Sequence, residues 1–240
     1  MRDRAFIHAI RLRLGAALEG KLNSEETLEA MGAFITEERG RIERAHRAGA
    51  GGREIVACLS DLADVVIEAL FREAELACGG PSKVGDAGCA LVALGGYGRR
   101  ELNPASDVDL MLLFREREDA YLRTLTDCLF HMLVNLRFEL GYAFRSIADC
   151  LELADTDQRS LTSMLEARFL IGEPAIFDQF QTRFRRFLTP ARVDSFVAWK
   201  LAEQERRHKA YPSSLHEPNV KESPGGPCGV APNTEDHHEF

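Results

Sequence analysis

Two aspartates, Asp107 and Asp109, stand at the start of an apolar run that ends at Phe114. Residues two apart on a β-strand project from the same face, so the two carboxylates are predicted to lie side by side. Residues 110–114 are apolar enough for a strand that is buried on both faces. Paired carboxylates at the exposed end of such a strand suit the binding of divalent metal against a triphosphate.

A glycine-rich turn precedes these carboxylates. Residues 90–94 form an apolar run of strand length, and Gly95, Gly96 and Gly98 follow it. Glycine lets the backbone turn tightly and approach a ligand closely because it has no Cβ. We expect the backbone N–H groups of this turn to face phosphate oxygens. An Asp-x-Asp motif or a glycine pair alone is common, but the two together in this order indicate a site for a metal-bound triphosphate.

Two residues between the glycines and the aspartates leave alternatives open. Arg99 could make a charge-assisted contact to the phosphates, or it could pair with Glu101 on the surface. Ser106 could support the metal site through its hydroxyl, or it could merely bend the chain into the strand. Residues 99–102 are predicted to form a short helical turn.

Composition excludes several classes of function. The chain has 240 residues and a net charge of -8, which argues against a general nucleic-acid-binding protein. Six cysteines occur without a Cys-x-x-Cys pair, which favours reduced thiols in a cytoplasmic protein. The N-terminus does not resemble a signal peptide, and no apolar run is long enough to span a membrane.

The elements that must position the site are mostly helices. An apolar stripe predicts a helix from about Arg53 to Leu76, with its charged residues off the stripe and solvated. Those charged residues are Asp61, Asp64, Glu68 and Arg72. The apolar spacing also predicts further elements. They are helices at 119–140, 146–153, 159–171, 176–187 and 190–209, and a strand at 142–147.

Residues 95–110 read Gly-Gly-Tyr-Gly-Arg-Arg-Glu-Leu-Asn-Pro-Ala-Ser-Asp-Val-Asp-Leu. This string resembles the signature of the DNA polymerase β-like nucleotidyltransferase superfamily and, more narrowly, of the protein-PII uridylyltransferase family. Arg100 stands where that family usually has glycine. The resemblance implies an α/β (α+β) fold with a small mixed sheet flanked by helical regions. It also favours a phosphate contact for Arg99.

A second segment, residues 134–145, resembles the family less closely. Glu139, Gly141 and Arg145 match its pattern, whereas Asn135 and Tyr142 replace an aspartate and a histidine. The superfamily usually adds a third carboxylate in this neighbourhood. Glu139 is the positional candidate, and an exposed glutamate at a helix end is the alternative. Arg145 is expected to reach the triphosphate or to pair with an acid at the sheet edge.

The resemblance continues through three later strings, at 165–172, 200–208 and 217–226. In the last, Lys221 is expected to face the nucleotide, although a plain loop is the alternative. The match ends after Gly226, which suggests a truncated form of a longer protein. The expected divisions are a helical region (1–80), the nucleotidyltransferase core (81–174), a helical region with a glycine-rich loop (175–226) and a disordered tail (227–240).

The resemblance implies a Mg²⁺-dependent transfer of UMP from UTP to a tyrosine of the PII nitrogen-signalling protein. Asp107 and Asp109 would hold the metal ions. No nucleic-acid or membrane partner is expected. Two alternatives remain open: a nucleotidyltransferase with another nucleotide or acceptor, or an inactive fragment that binds nucleotide or a partner without chemistry.

Overall fold

The structure, a computed structural model, describes residues 4–21, 24–79, 88–116 and 118–210. Helices dominate the chain, and short strands lie in its middle. In chain order the elements are α1 (Arg4–Leu18), α2 (Ser24–Arg47), α3 (Gly52–Ala77), β1 (Cys89–Ala93), α4 (Gly95–Gly98), β2 (Val108–Phe114), α5 (Ala120–Asn135), β3 (Leu140–Ser146), α6 (Ile147–Thr156), α7 (Gln158–Leu165), β4 (Arg168–Gly172), α8 (Pro174–Phe187) and α9 (Pro190–Ala210).

The strands form one small mixed sheet in the order β3-β2-β1-β4. β1 runs antiparallel to both β2 and β4, whereas β2 and β3 are parallel. The end of β1 and the starts of β2 and β3 therefore meet at one edge of the sheet. This architecture, a small mixed sheet with helical regions on either side in sequence, confirms the fold class predicted from the sequence.

Alternate residues of β2 serve two different packing layers. Leu110 and Leu112 belong to a large buried core that includes residues of α1, α2, α3 and α5. Met111 points the other way, and its sulfur lies 3.5 Å from that of Cys150 on α6. Asp109 has the same parity as Met111, so it projects on the face that α6 covers.

The chain divides into two compact units, residues 1–184 and 185–240. The sheet and helices α1 to α7 lie in the first. In the second, the Arg192 guanidinium lies 4.0 Å from the centre of the Phe187 ring, and Phe196 stacks on Trp199. No helix within the described ranges combines the length and the apolar character needed to cross a membrane. The four divisions expected from the sequence stay a prediction.

Three predicted elements are wrong in detail. The helix expected at 159–171 stops at Leu165, and β4 replaces its second half because residues 168–172 pair with β1. The helical turn expected at 99–102 lies earlier, on the glycines of α4. The helix expected to reach residue 140 ends at Asn135, because Arg137 adopts a left-handed backbone conformation (φ 59°) that a helix cannot continue through.

The prediction that the charged residues of α3 are solvated is wrong for two of them. Asp61 and Asp64 are each only 7% exposed. The apolar stripe itself is confirmed, since Ile55, Leu59 and Leu62 are buried in the core. The aspartates are buried because partners from distant parts of the chain cover them, as described below.

The central position of β2 leads to a stability prediction. Leu112 is fully buried between the neighbouring strands and the helical core. Leu112→Ala should lower the free energy of unfolding by about 2–5 kcal/mol, because it removes buried methyl groups and leaves a cavity. Leu12→Ala, on an exposed side chain of α1, should change it by no more than about 0.5 kcal/mol. Urea unfolding followed by circular dichroism measures both, and equal losses would contradict this packing.

Candidate functional site

The two aspartates meet two glycines at the sheet edge. The N–H of Leu94 donates to the Asp109 carbonyl (3.0 Å), so the glycine turn starts beside Asp109. On the other side, Asp109 pairs with Gly141 of β3. A Cβ placed on Gly95 would lie 3.1 Å from Asp109 Oδ2, and one on Gly141 would lie 3.4 Å from Asp109 Cγ and 3.8 Å from Asp107 Oδ2. The structure therefore brings both carboxylates together, as strand alternation predicts.

The three glycine positions of the turn differ in whether the surrounding structure would accept a side chain. Gly95 has a left-handed backbone (φ 54°), which favours glycine. Gly98 packs on backbone, because a Cβ there would lie 3.1 Å from the Ala93 carbonyl oxygen and 3.0 Å from the Glu166 carbonyl carbon. A Cβ on Gly96 would meet nothing closer than 3.6 Å. The fold therefore demands glycine at positions 95 and 98 but not at 96.

A buried polar cluster fastens this turn to α3 and β4. The Tyr97 hydroxyl donates to Asp64 (2.7 Å), and Arg168 forms a bidentate pair with the same carboxylate (2.8 and 3.0 Å). Arg168 also donates to the carbonyl oxygens of Tyr97 and Gly98, each at 3.1 Å. Its guanidinium lies 5.3 Å from the centre of the Tyr97 ring. One arginine thus joins a helix, a strand and two consecutive carbonyls of the turn.

Burial and charge shape the ionisation of this cluster. Burial, reinforced by the neighbouring Asp64 carboxylate, raises the pKa of Tyr97 well above its usual value. For Arg168, burial acts to lower the pKa, but the hydrogen bonds and charge of Asp64 outweigh it and the pKa is raised. Tyr97 therefore stays a neutral donor and Arg168 stays a cation throughout the physiological pH range.

Two further contacts of α3 hold the chain after the turn. Asp61 forms an ion pair with Arg100, and the N–H of Leu102 donates to the Ser60 hydroxyl (3.1 Å). Arg100 is left-handed (φ 61°), a conformation that costs a residue with a Cβ about 1–2 kcal/mol. This explains why glycine suits that position in the resembled family. In this chain the ion pair with Asp61 helps to offset the strain.

Arg99 has two carboxylate partners in the structure. It pairs with Glu101 (2.8 Å) and with Glu166 (2.5 Å). Burial acts to lower the pKa of Arg99, but both carboxylates raise it and the net shift is upward. One guanidinium nitrogen lies 3.8 Å from the position of a Cβ on Gly96. The alternative of a pair with Glu101 is therefore present, and the phosphate contact stays a prediction.

The other residues predicted for the site differ in how close they lie to the two aspartates. Glu139 precedes β3, and its carbonyl accepts from the N–H of Val108 (2.7 Å), which puts it beside Asp107. Ser106 and Glu139 line a cavity of about 100 Å³. Arg145 pairs with Leu113, so its Cα lies roughly 13 Å along the strand from Gly141. The structure does not bring Arg145 to the carboxylates, and Lys221 lies outside the described residues.

No three His, Cys, Asp or Glu side chains converge on a metal-binding point within the ranges that the structure describes. Glu139 therefore does not join the two aspartates as a third ligand in this arrangement. Two carboxylates nevertheless fit Mg²⁺, which proteins commonly hold through one or two carboxylates together with substrate phosphates. The donor set suits a metal that arrives with a triphosphate better than a permanently bound ion.

The residues that sequence reasoning missed are Asp64, Arg168 and Ser163. Ser163 of α7 places its hydroxyl 4.0 Å from the position of a Cβ on Gly95, which also lies 3.1 Å from Asp109 Oδ2. For Arg168, the only sequence signal was its place in the string at 165–172 that resembles the family. For Asp64 there was no signal, since its helical position indicated a solvated face.

Comparison with known proteins places these features in a family. A family profile described as glutamate-ammonia ligase adenylyltransferase matches residues 4–128, which include α3, the glycine turn and both aspartates. The chain is also 38% identical, over 85% of its length, to a bifunctional uridylyltransferase/uridylyl-removing enzyme of Burkholderia orbicola (strain AU 1054), of which it covers 22%.

Relatives with the same name occur in other bacteria. The protein of Caulobacter vibrioides (strain NA1000 / CB15N) is 35% identical over 91% of this chain and 24% of the relative. That of Burkholderia pseudomallei (strain K96243) is 38% identical over 70% of this chain and 18% of the relative. The chain spans less than a quarter of the length of these relatives. They confirm the resemblance to uridylyltransferases, and the chain belongs to the glutamate-ammonia ligase adenylyltransferase family of nucleotidyltransferases.

Proposed function

We propose that the chain carries a nucleotidyl-transfer site that moves a nucleoside monophosphate from a nucleoside triphosphate to a hydroxyl acceptor. The observation that carries this proposal is the convergence of Asp107 and Asp109 on Gly141, beside the glycine turn that starts at Gly95. Acidic side chains and a close backbone approach are what a metal-bound triphosphate requires.

In the proposed reaction the acceptor oxygen forms a bond to the α-phosphorus, and the bond to the bridging oxygen of the β-phosphate breaks. Pyrophosphate leaves and the hydroxyl proton is released. Asp107 and Asp109 would hold Mg²⁺, which when bound supplies positive charge against the α-phosphate and the leaving group. The glycine turn would orient the triphosphate, since positioning supplies much of the rate in such transfers.

The backbone amides of the turn support this role. The N–H groups of Gly98, Arg99 and Glu101 donate to carbonyl oxygens inside the turn. Within the described part of the chain, no backbone carbonyl accepts from the N–H groups of Gly95, Gly96 or Tyr97. These amides can therefore donate to phosphate oxygens without breaking a backbone hydrogen bond of the fold.

The substrates proposed are UTP and the PII signalling protein, with UMP transferred to a tyrosine hydroxyl. The name of the relatives, which specifies uridylyl transfer, supports UTP, and the resemblance of residues 95–110 supports PII. A second candidate is adenylyl transfer from ATP to glutamate-ammonia ligase, because the matching family profile bears that description. In this proposal the site residues bind the phosphates and the metal and make no contact with the base, so they are compatible with either nucleotide.

Transfer of label tests these candidates directly. The chain is incubated with Mg²⁺, one α-³²P-labelled nucleoside triphosphate at a time, and either PII or glutamate-ammonia ligase. We expect label on PII from UTP alone. Label on glutamate-ammonia ligase from ATP would favour the second candidate. No label with any pair, while Mg²⁺-dependent nucleotide binding persists, would show a binding fragment without chemistry.

Removal of one carboxylate should abolish the transfer. Asp107→Asn and Asp109→Asn should each lower the rate at least about 100-fold, because charge that stabilises the transition state is lost. Neither variant should unfold the chain, since these side chains lie at the sheet edge. Asp127→Asn, on an exposed position of α5, is the matched control and should retain full activity. Wild-type rates in both site variants would refute the assignment.

Two glycines of the turn should respond differently to the same substitution. Gly96→Ala should fold normally, because its Cβ has room, yet weaken nucleotide binding about 10-fold by obstructing the phosphates. Gly98→Ala should instead destabilise the chain, because its Cβ would meet backbone of Glu166 and Ala93. Titration with a fluorescent UTP analogue and urea unfolding separate the effects. Unchanged affinity in Gly96→Ala would show that phosphates do not approach this residue.

A further inference from the structure

A buried carboxylate outside the proposed metal site bonds the side chains that hold the glycine turn. We propose that Asp64 of α3 is a positioning residue for nucleotide binding, acting through Arg168 and Tyr97 to fix the orientation of two consecutive peptide groups of the turn. The inference rests on the proposed function, since the turn is taken to bind phosphate.

The contacts form a chain from Asp64 to the backbone. Its carboxylate accepts two bonds from Arg168 (2.8 and 3.0 Å) and one from the Tyr97 hydroxyl (2.7 Å). The remaining donors of Arg168 reach the carbonyl oxygens of Tyr97 and Gly98. The direction in which these carbonyls point sets the plane of each peptide, and therefore the direction of the N–H groups of Gly98 and Arg99 on the far side of those peptide bonds.

The side chains of this cluster also restrict the turn as a whole. The Tyr97 ring is buried in the main core at 1% exposure, so the turn is anchored at its centre. Gly98 is pressed on the backbone at Glu166, directly before β4. Arg168 lies two residues later, so its hydrogen bonds hold the turn against the segment that leads from Glu166 into β4.

A contribution to the stability of the fold does not by itself explain why Asp64 and Arg168 form a buried ion pair. A buried ion pair stabilises a fold no better than apolar residues of similar volume, because removing both charges from water is costly. Its hydrogen bonds are directional, however, and here they end on the two peptides whose N–H groups bond back to the carbonyl oxygens of Leu94 and Gly95. They therefore hold the turn closed in the shape that leaves the amides of Gly95, Gly96 and Tyr97 for the proposed phosphates. A turn held in its binding conformation avoids the loss of conformational entropy on binding. Asp64 is suited to provide that preorganisation.

The chain offers a matched control for the substitution Asp64→Asn. Glu38 of α2 is also buried, at 2% exposure, and also forms a bidentate pair with an arginine, Arg13 (2.8 and 2.7 Å). Its partners, Arg13 and Arg41, lie in α1 and α2 and do not touch the glycine turn. Glu38→Gln therefore removes a comparable buried charge without affecting the contacts of Arg168.

The first measurement needs no ligand. Amide hydrogen exchange of the peptide that covers residues 95–101 should become at least about 10-fold faster in Asp64→Asn than in the wild type, and should not change in Glu38→Gln. The second measurement is the dissociation constant of Mg²⁺-UTP, or of Mg²⁺-ATP if that nucleotide binds. It should rise about 10-fold in Asp64→Asn alone, with the rate at saturating nucleotide reduced less than the affinity.

Three outcomes would overturn the inference: unchanged exchange in Asp64→Asn, equal effects in both variants, or faster exchange with unchanged nucleotide affinity. If Asp64→Asn does not fold, Tyr97→Phe replaces it, because it removes one hydrogen bond to Asp64 and keeps the buried ring; the same outcomes apply. If the wild type binds no nucleotide, the proposed function fails and the positioning role in binding fails with it. The exchange result then shows whether Asp64 still orders the turn.

Discussion

The geometry of this site depends on one negative charge, Asp64, which helix α3 carries into the protein interior. Burial of a carboxylate is unfavourable by several kcal/mol unless an opposite charge and hydrogen bonds compensate. Arg168 and Tyr97 supply that compensation. Because these partners belong to β4 and to the glycine turn, satisfying the buried charge also fastens the turn to the helix and the sheet.

The sheet places this turn beside Asp107 and Asp109, the carboxylates of the proposed metal site. The end of β1 and the start of β2 are adjacent because these strands are antiparallel, and β3 starts at the same edge because it is parallel to β2. Asp109 therefore has Gly95 on one side and Gly141 on the other. Side chains at either glycine position would occupy the space of the carboxylate. The space around Asp109 therefore depends on the directions of the strands and on glycine at both neighbouring positions.

The family profile and the similar proteins point to different nucleotides. Its family profile is described by adenylyl transfer, whereas the similar proteins are named for uridylyl transfer. In the proposed function the carboxylates bind metal and the turn approaches phosphate, and these are parts common to all nucleoside triphosphates. The same constellation can therefore serve either nucleotide, and the contacts that select the base and the acceptor must come from other residues.

Local patterns in the sequence were sufficient for β1, β2, the helix α3 and the pairing of Asp107 with Asp109, because strand alternation and helical periodicity act over a few residues. They were insufficient for β4, whose residues continue a helical pattern and become a strand only by pairing with β1. They also misassigned Asp64, because periodicity identifies the residues that face away from an apolar stripe but not what will cover them. Its partner Arg168 lies 104 residues away in sequence. Only the tertiary structure brings that arginine to the aspartate, since the contact depends on how a helix, a turn and an edge strand pack together.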